Sequence, residues 1–273
     1  MQTKSEMISK NQIKYIRQLE QKKFRKRENC FVAEGPKVVG DLMKRYQPKA
    51  IFATDAWHHS HPVDASVLTS ITDEELRRIS FLQAPQQVLA IFPIPQLTHN
   101  TSLTIPEQSS PTRSLSHLLP LTSNLSLALD GIQDPGNLGT IIRIADWFGI
   151  DTIYCSEDTA DAYNPKVVQA TMGSLAHVHL LYCDLLQLFD TLPPSYPVYG
   201  TLLDGDDIYQ QQLSQEGIIV MGNEGNGISE TVRQRVTHRL LIPNFHQGES
   251  AESLNVAIAT AITCSEFRRR GTT

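Results

Sequence analysis

Three loops of this sequence carry residues whose types and spacing could bind a ligand and support chemistry. The first loop spans Leu129 to Gly139, and Arg143 follows it on the same predicted helix as Asn137. Asn137 is placed to begin that helix as its N-cap, beside a helix end that attracts anions. A single arginine on a polar helix face is usually only solvated, but this one lies within two turns of a glycine-rich loop. The loop lacks the lysine of a P-loop, so nucleoside triphosphate hydrolysis is disfavoured.

The second loop is residues 221–229, Met-Gly-Asn-Glu-Gly-Asn-Gly-Ile-Ser, directly after an apolar run. It holds three glycines within six residues, which permit positive φ angles and a close approach to the backbone. A tight strand-to-helix turn needs only one such glycine. The acidic Glu224 suits a hydroxyl or a cationic group better than a phosphate.

The third loop begins at Ile242-Pro243 and ends in Glu252-Ser253-Leu254-Asn255-Val256. The helix predicted after it, to about Arg269, is apolar nearly all round. Such a helix is buried on more than one side, and a second subunit could supply part of that burial.

Strands and helices that alternate from Leu125 onward would position these loops. Regular alternation predicts an α/β fold with a mostly parallel sheet, in which ligands lie at the carboxyl ends of the strands. All three loops fall at such ends. The predicted strands are 125–129, 150–155, 176–181, 198–203, 217–221 and 239–243, with helices over about 137–148, after Pro165, from Asp184, and over about 253–269.

The N-terminal part is predicted to be a separate small α/β domain, residues 1–92, that starts with a basic helix over 10–27. Residues 1–27 hold nine lysines and arginines against two glutamates, although the whole chain has a net charge of −5. This asymmetry indicates either contact with a polyanion or a solvated helix face. Residues 93–124 are rich in Pro, Ser and Thr and are predicted to link this domain to a second one, residues 125–273. The candidate polyanion contacts are Lys22, Lys23, Arg25 and Arg27.

Taken together, the three loops resemble the three motifs of the SpoU–TrmH branch of the SPOUT RNA methyltransferases. The matching residues are Asn137, Gly139 and Arg143, then the run 221–229, then Ile242-Pro243 with the run 252–256. The resemblance covers about residues 125–269. The segment Phe31 to Val39 is similar to the start of the small substrate-binding domain that often precedes the catalytic domain.

The resemblance implies transfer of a methyl group from S-adenosylmethionine to a ribose 2′-hydroxyl of structured RNA, either rRNA or tRNA. It also implies a C-terminal domain with a trefoil knot, and a homodimer with the active site at its interface. By the same resemblance the cofactor-binding residues are Thr201, Leu202, Gly222, Glu224, Ile242, Ser253 and Leu254. The residues implied for catalysis are Asn137, Arg143, Glu224, Ser253 and Asn255. In the family the arginine is proposed to activate the hydroxyl. Because a guanidinium remains protonated, positioning the hydroxyl and balancing charge is the more modest role.

Several other classes of protein are disfavoured. No apolar run is long enough to span a membrane, and the first residues lack the apolar stretch of a secretory signal. The four cysteines are far apart and form no zinc-site spacing, which favours free thiols in the cytoplasm and no bound metal. The histidines near residue 60 are expected to be solvated rather than metal ligands. The alternative function is a non-catalytic RNA-binding protein on the same scaffold, and a hydrolase is disfavoured because no G-x-S-x-G motif is present.

Overall fold

A computed structural model describes residues 8–95, 124–246 and 252–270. Internal contacts divide the chain into two compact units. The first comprises residues up to Ile94 together with Asp134–Asp146 and Ala160–Val178, and the second comprises the rest. Helices from the middle of the chain therefore belong to the same unit as the N-terminal segment. Most of the predicted linker, residues 96–123, lies outside the described residues, so the predicted domain boundaries stay a prediction.

The sheet of the first unit has four strands in the order β1-β4-β2-β3. Strand β4 is antiparallel to β1 and β2, and β2 is parallel to β3. The strands are β1 (Cys30–Glu34), β2 (Ala50–Ala53), β3 (Leu68–Ser70) and β4 (Val88–Pro93), and the helices are α1 (Lys10–Gln18), α2 (Lys22–Glu28), α3 (Pro36–Met43), α4 (Asp55–His58), α5 (Asp73–Ile79), α6 (Pro135–Trp147) and α7 (Pro165–Ala170). Helices α1 and α5 contribute Ile16, Leu76 and Ile79 to one apolar core with these strands.

The single helix predicted over residues 10–27 is wrong, because the chain forms α1 and α2 with a break between them. Leu19 ends α1 and is fully buried, and Gln21 adopts an extended conformation before α2. The Arg25 guanidinium donates hydrogen bonds to the carbonyl oxygens of Leu19 and Glu20. These carbonyl oxygens have no helical partner at the end of α1, so the hydrogen bonds from Arg25 satisfy them and stabilise the break between α1 and α2.

The sheet of the second unit has six strands in the order β10-β8-β9-β5-β6-β7. Every neighbouring pair is parallel, which confirms the predicted parallel sheet. The strands are β5 (Leu125–Asp130), β6 (Thr152–Cys155), β7 (His179–Tyr182), β8 (Val198–Asp207), β9 (Gly217–Gly222) and β10 (His238–Leu241), and the helices are α8 (Leu185–Asp190), α9 (Glu230–Arg233) and α10 (Val256–Arg270). All residues of β9 are buried, as expected for a strand covered on both faces.

Some predicted element bounds differ from the structure. Strand β7 starts at His179 rather than at residue 176, because Ser174–Ala176 form a 3-10 turn. The last helix starts at Val256 rather than at Ser253. Among the described residues, no helix has the length and apolar character needed to cross a membrane. The trefoil knot implied by the resemblance stays a prediction.

Helices α6 and α7 of the first unit pack unusually closely, at Gly139. A Cβ atom added at Gly139 would lie 2.4 Å from the Cβ atom of Ala170 and 3.0 Å from the carbonyl oxygen of Val167. Real side chains do not approach to 2.4 Å, so any larger residue would force the helices apart. The glycine of the first predicted motif therefore has a packing role.

Gly139→Ala should lower the free energy of unfolding by about 1–3 kcal/mol, because the added methyl group overpacks the α6–α7 contact. The matched control is Gly40→Ala in the middle of α3, where an added Cβ atom meets nothing within 4 Å. This control should raise stability by about 0.5–1 kcal/mol, because alanine favours the helix. Urea unfolding of both variants measures the effects, and equal destabilisation would contradict the packing argument.

Candidate active site

The carboxyl ends of β5, β9 and β10, and the point where β8 interrupts its pairing with β10, lie at one edge of the six-stranded sheet. At this edge Asp130 at the end of β5 pairs with Gly222 at the end of β9. The Thr201 hydroxyl, on β8, donates to the carbonyl oxygen of Val220 at 3.2 Å. Ile242 directly follows β10, the neighbour of β8. The structure therefore brings the predicted cofactor residues Thr201, Gly222 and Ile242 to the same edge.

Strand β8 carries a bulge where the predicted cofactor residues Thr201 and Leu202 lie. In the pairing with β10, Arg239 is opposite Gly200, whereas Leu240 is opposite Asp206. The register therefore skips residues 201–205 of β8. Bulges of this kind re-aim side chains and are frequent beside ligand sites.

The Asn223 side chain connects the second loop to the first. Its amide nitrogen donates to the carbonyl oxygen of Gly131 at 2.7 Å. Its amide oxygen accepts from the main-chain nitrogens of Gly225 at 2.9 Å and Asn226 at 3.0 Å. Two further backbone hydrogen bonds of 2.9 Å join Asn223 to Gly227 and close the turn. The sequence analysis missed this residue, although an asparagine between glycines is typical of a turn held by its own side chain.

Gly222 is required by the fold of the second loop itself. A Cβ atom at this position would lie 2.2 Å from the main-chain carbon of Gly227 and equally close to the nitrogen of Ile228. The close approach to the backbone that these glycines permit is, at Gly222, an approach by the main chain of the same loop. At Gly225 the nearest atom to an added Cβ is the Asn223 side-chain oxygen at 3.6 Å.

Two more hydrogen bonds cross between the first and second loops. The Asp130 carboxylate accepts from the main-chain nitrogen of Ser229 at 2.7 Å. The Glu224 carboxylate accepts from the main-chain nitrogen of Gln133 at 3.3 Å. The predicted site residue Glu224 is exposed, and its hydrogen bond to the first loop orients the carboxylate. Asp130, which the sequence analysis did not single out, fixes the start of α9.

Asn137 and Arg143 lie on α6 in the first unit, whereas the other residues predicted for catalysis and cofactor binding belong to the second unit. The prediction that Asn137 is the N-cap of this helix is wrong. The helix begins two residues earlier, at Pro135, and the Asp134 carboxylate accepts from the Asn137 main-chain nitrogen at 2.7 Å. Arg143 is exposed while Ile142 beside it is fully buried, as predicted for a polar helix face.

The third loop places its predicted site residues at the start of α10. The Asn255 side-chain oxygen accepts from the main-chain nitrogens of Ala257 at 3.0 Å and Ile258 at 3.3 Å, so Asn255 caps this helix. Ser253 and Leu254 are exposed, and Leu254 keeps 51% of its surface accessible although it is apolar. Residues 247–251 lie outside the described part of the chain.

The four basic residues predicted to contact RNA differ in their surroundings. Lys22, Lys23 and Arg27 are exposed on α2, and the last two lie over the Phe24 ring, 5.0 and 4.7 Å from its centroid. Arg25 is only 1% exposed. Its guanidinium donates its hydrogen bonds to groups within the first unit, so Arg25 does not belong to the surface that RNA could contact.

Metal and thiol chemistry find little support in the described residues. Within them, no three His, Cys, Asp or Glu side chains come together as a metal site would require. His61 instead stacks on the buried Trp57, with ring centroids 4.4 Å apart. All four cysteines are buried free thiols. Burial raises the pKa of Cys183 to about 11 and that of Cys264 to about 12, which keeps both thiols protonated and poorly nucleophilic near neutral pH.

Comparison with known proteins identifies the family. The sequence model of the SpoU rRNA methylase family matches residues 124–265, more than half of the chain. The chain belongs to this family. The model of the MRM3-like substrate binding domain matches residues 10–90 of the same SpoU-family chain.

Three relatives extend the match over nearly the whole SpoU-family chain. RlmP of Bacillus subtilis strain 168, a 23S rRNA (guanosine(2553)-2′-O)-methyltransferase, is 30% identical over 267 residues, 95% of this chain and 97% of RlmP. A structure from Porphyromonas gingivalis assigned to the TrmH family of RNA methyltransferases is 42% identical, with a TM-score of 0.79, and covers 97% of this chain and 99% of its own. The structure of an AdoMet-bound rRNA methyltransferase from Sinorhizobium meliloti is 29% identical, with a TM-score of 0.76, over 94% of each chain. The predicted family and fold class are confirmed.

Asn223→Ala should loosen both loops, because it removes the side-chain hydrogen bond to Gly131 and the two that hold the turn of the second loop. The free energy of unfolding should fall by about 1–3 kcal/mol, and the amides of residues 129–133 and 222–229 should exchange faster with solvent. Asn226→Ala is the matched control, since its contact to Asn223 uses the main chain. Hydrogen–deuterium exchange measures the difference, and the same protection in both variants would contradict the role given to Asn223.

Proposed function

We propose that this SpoU-family protein transfers a methyl group from S-adenosylmethionine to a ribose 2′-hydroxyl of ribosomal RNA. The main support is a family match that runs through both parts of the chain, over 95% of its length in the case of RlmP. The protein is an RNA ribose methyltransferase, and RNA is its substrate. The choice of rRNA rests on the names of the relatives from B. subtilis and S. meliloti.

The residues at the sheet edge fit S-adenosylmethionine. This molecule carries a sulfonium, a carboxylate and an adenosine, but no phosphate, and the loops here offer main-chain groups and Glu224 rather than a P-loop lysine. The β8 bulge keeps residues 201–205 out of the ladder with β10. The exposed Leu254 is an apolar side chain that a nucleobase ring could cover. The residues proposed to hold the cofactor are Thr201, Leu202, Gly222, Glu224, Ile242, Ser253 and Leu254.

The cofactor, when bound, supplies a methyl group activated by the positive sulfur. With the cofactor held by the residues proposed above, this methyl group would pass to the 2′-oxygen of the ribose, the electron pair of the carbon–sulfur bond would stay with sulfur, and the hydroxyl proton would pass to solvent. Arg143 remains charged at every physiological pH. It orients the hydroxyl and offsets the negative charge of the nearby RNA backbone and of the oxygen as it loses its proton.

The other proposed catalytic residues act by positioning Arg143, the ribose hydroxyl and the cofactor. Glu224 is oriented by the main-chain nitrogen of Gln133, and Asn255 fixes the start of α10. Asn137 lies in the first turn of the helix that carries Arg143. Ser253 is exposed two residues before the helix cap. These four residues and Arg143 form the proposed catalytic set.

The proposed domain organisation follows the sequence: a substrate-binding domain over 1–92, a linker over 93–124 and a catalytic domain over 125–273. It is supported by the matched ranges 10–90 and 124–265. The basic surface of α2, formed by Lys22, Lys23 and Arg27, is proposed to contact RNA phosphates.

A homodimer with a trefoil-knotted catalytic domain is also proposed. Ile258 in the first turn of α10 is apolar but 52% exposed, and a second subunit would cover it. A cytoplasmic location is proposed from the ribosomal RNA named for the bacterial relatives.

Arg143→Ala should fold normally and keep its affinity for S-adenosylmethionine, because the side chain is exposed and the proposed cofactor contacts lie elsewhere. Methyl transfer should fall by about two orders of magnitude or more, as expected when one group that stabilises the transition state is removed. Arg143→Lys should not restore the rate, since an ammonium lacks the planar two-pronged contact. Single-turnover transfer of labelled methyl groups to RNA measures the rate. A folded variant with near-normal turnover would disprove this role.

The double variant Lys23→Glu/Arg27→Glu should weaken RNA binding and reduce its salt dependence, because two phosphate contacts are lost. Affinity for the cofactor should not change. The control with the same change in charge is Arg77→Glu/Arg78→Glu at the end of α5 in the same unit. Binding isotherms at several salt concentrations compare the two, and equal losses would show that only the overall charge matters.

A further inference from the structure

Arg25 is a buried charge in the middle of a basic, exposed helix. Its side chain is only 2% exposed, although the four other basic residues of α2 face solvent. Its Nε and Nη2 atoms donate to one carboxylate oxygen of Asp161 at 3.1 and 2.6 Å, and Nη1 donates to the carbonyl oxygens of Leu19 and Glu20. Buried ion pairs seldom add net stability, because both groups lose their hydration. A geometric role is therefore the better explanation for this pair.

Asp161 connects α2 to the segment Ala160–Val178, which belongs to the first unit. Its second carboxylate oxygen accepts from the main-chain nitrogen of Tyr163 at 3.0 Å, and its carbonyl oxygen accepts from Asn164 at 2.9 Å. Asn164 is the N-cap of α7. The Tyr163 ring also packs on Phe31 of β1, with centroids 5.0 Å apart. The ion pair thus fixes the start of α7 relative to the basic helix.

The same segment holds the helix that carries Arg143. Ala170 at the end of α7 is in the close contact with Gly139 of α6, one turn before Arg143. A second connection comes from α3, where the Lys37 ammonium donates to the carbonyl oxygen of Met172 at 2.9 Å. A continuous set of contacts within the first unit therefore runs from the basic helix α2, through Asp161 and α7, to Arg143.

We infer that the Arg25–Asp161 pair makes α2 and α6 one rigid body, so that the protein selects its target nucleotide by distance from a structured RNA element held on α2. This inference rests on the proposed function, in which α2 contacts RNA and Arg143 contacts the reacting ribose. Arg25 and Asp161 are positioning residues. They touch neither RNA nor cofactor, and they fix how far the phosphate contacts lie from Arg143. An ion pair suits this role because it permits one geometry, whereas apolar contacts tolerate shifts.

The first test uses two variants of the protein. Asp161→Asn keeps the size of the side chain but removes its charge, and Arg25→Lys keeps the charge but replaces the planar guanidinium by a smaller ammonium, so that both weaken the paired contact. The matched control is Arg77→Lys on α5 of the same unit, where the arginine is exposed and lies outside the surface proposed to contact RNA. Thermal melting checks folding, RNA binding is measured directly, and 2′-O-methyl mapping locates the product. In the two test variants, transfer at the target should fall about 10–100-fold, as expected for a misplacement of about 1 Å. Methyl groups should also appear on neighbouring nucleotides, while RNA affinity stays near that of the wild type.

A general loss of stability would not move the methylated position. Target-only methylation at a normal rate in a folded Asp161→Asn variant would overturn the inference. Methylation of neighbouring nucleotides by Arg77→Lys as well would also overturn it, because the effect would then not depend on the buried pair.

A second test uses the wild-type protein and needs no variant that might unfold. The RNA segment protected by the protein is mapped, and one base pair is inserted between this segment and the target nucleotide. Fixed spacing predicts that the methylated position shifts to keep its distance from the protected segment. Methylation that stays with the original nucleotide at the original rate would disprove the inference. If the wild-type protein transfers no methyl group to the unaltered RNA, the proposed function fails instead.

Discussion

The parallel pairing of β5 with β9 is the interaction on which the candidate site depends. Six residue pairs join these strands, from Leu125 opposite Gly217 to Asp130 opposite Gly222. A slip by one residue would turn every side chain to the other face. Because both faces are closely packed, the exchanged side chains would no longer fit their neighbours, and this fixes the register. The register in turn decides that Asn223 reaches Gly131. A site made from loops about ninety residues apart is therefore specified by apolar strands that contain none of the reacting groups.

The glycines of the candidate site and its supporting helices do not all serve the same purpose. At Gly139 and Gly222 an added Cβ atom would meet another part of the chain at 2.4 and 2.2 Å. These positions allow helices or backbone segments to approach closely. At Gly225 an added Cβ atom would make only an ordinary contact, 3.6 Å from the Asn223 side-chain oxygen, so close packing does not require glycine there. Glycine-rich motifs thus combine glycines that close packing requires with glycines that it does not, and only the surroundings separate them.

Much of the fold and part of the site were predictable because their signals are local. The apolar runs that became β5 and β9, and the exposure of Arg143 beside buried Ile142, follow from patterns within a few residues. The true start of α6 also has a local signal, because Asp134 followed by Pro135 is a typical helix start, and this signal argues against Asn137 as the N-cap. The burial of Arg25 was not predictable in this way. Arg25 and Arg27 have the same chemistry on one short helix, and what separates them is a carboxylate 136 residues further along.

The 136 residues between Arg25 and Asp161 have a consequence for the synthesis of the protein. The ribosome adds about 5–20 residues per second, so α2 is synthesised roughly 7–27 seconds before Asp161. During this interval the Arg25 guanidinium has no carboxylate partner at position 161, and Phe31 has no Tyr163 ring to cover it. The first unit is therefore completed late, by residues from the middle of the chain. Newly made N-terminal segments expose an apolar surface for that time, which makes them natural clients for a chaperone at the ribosome.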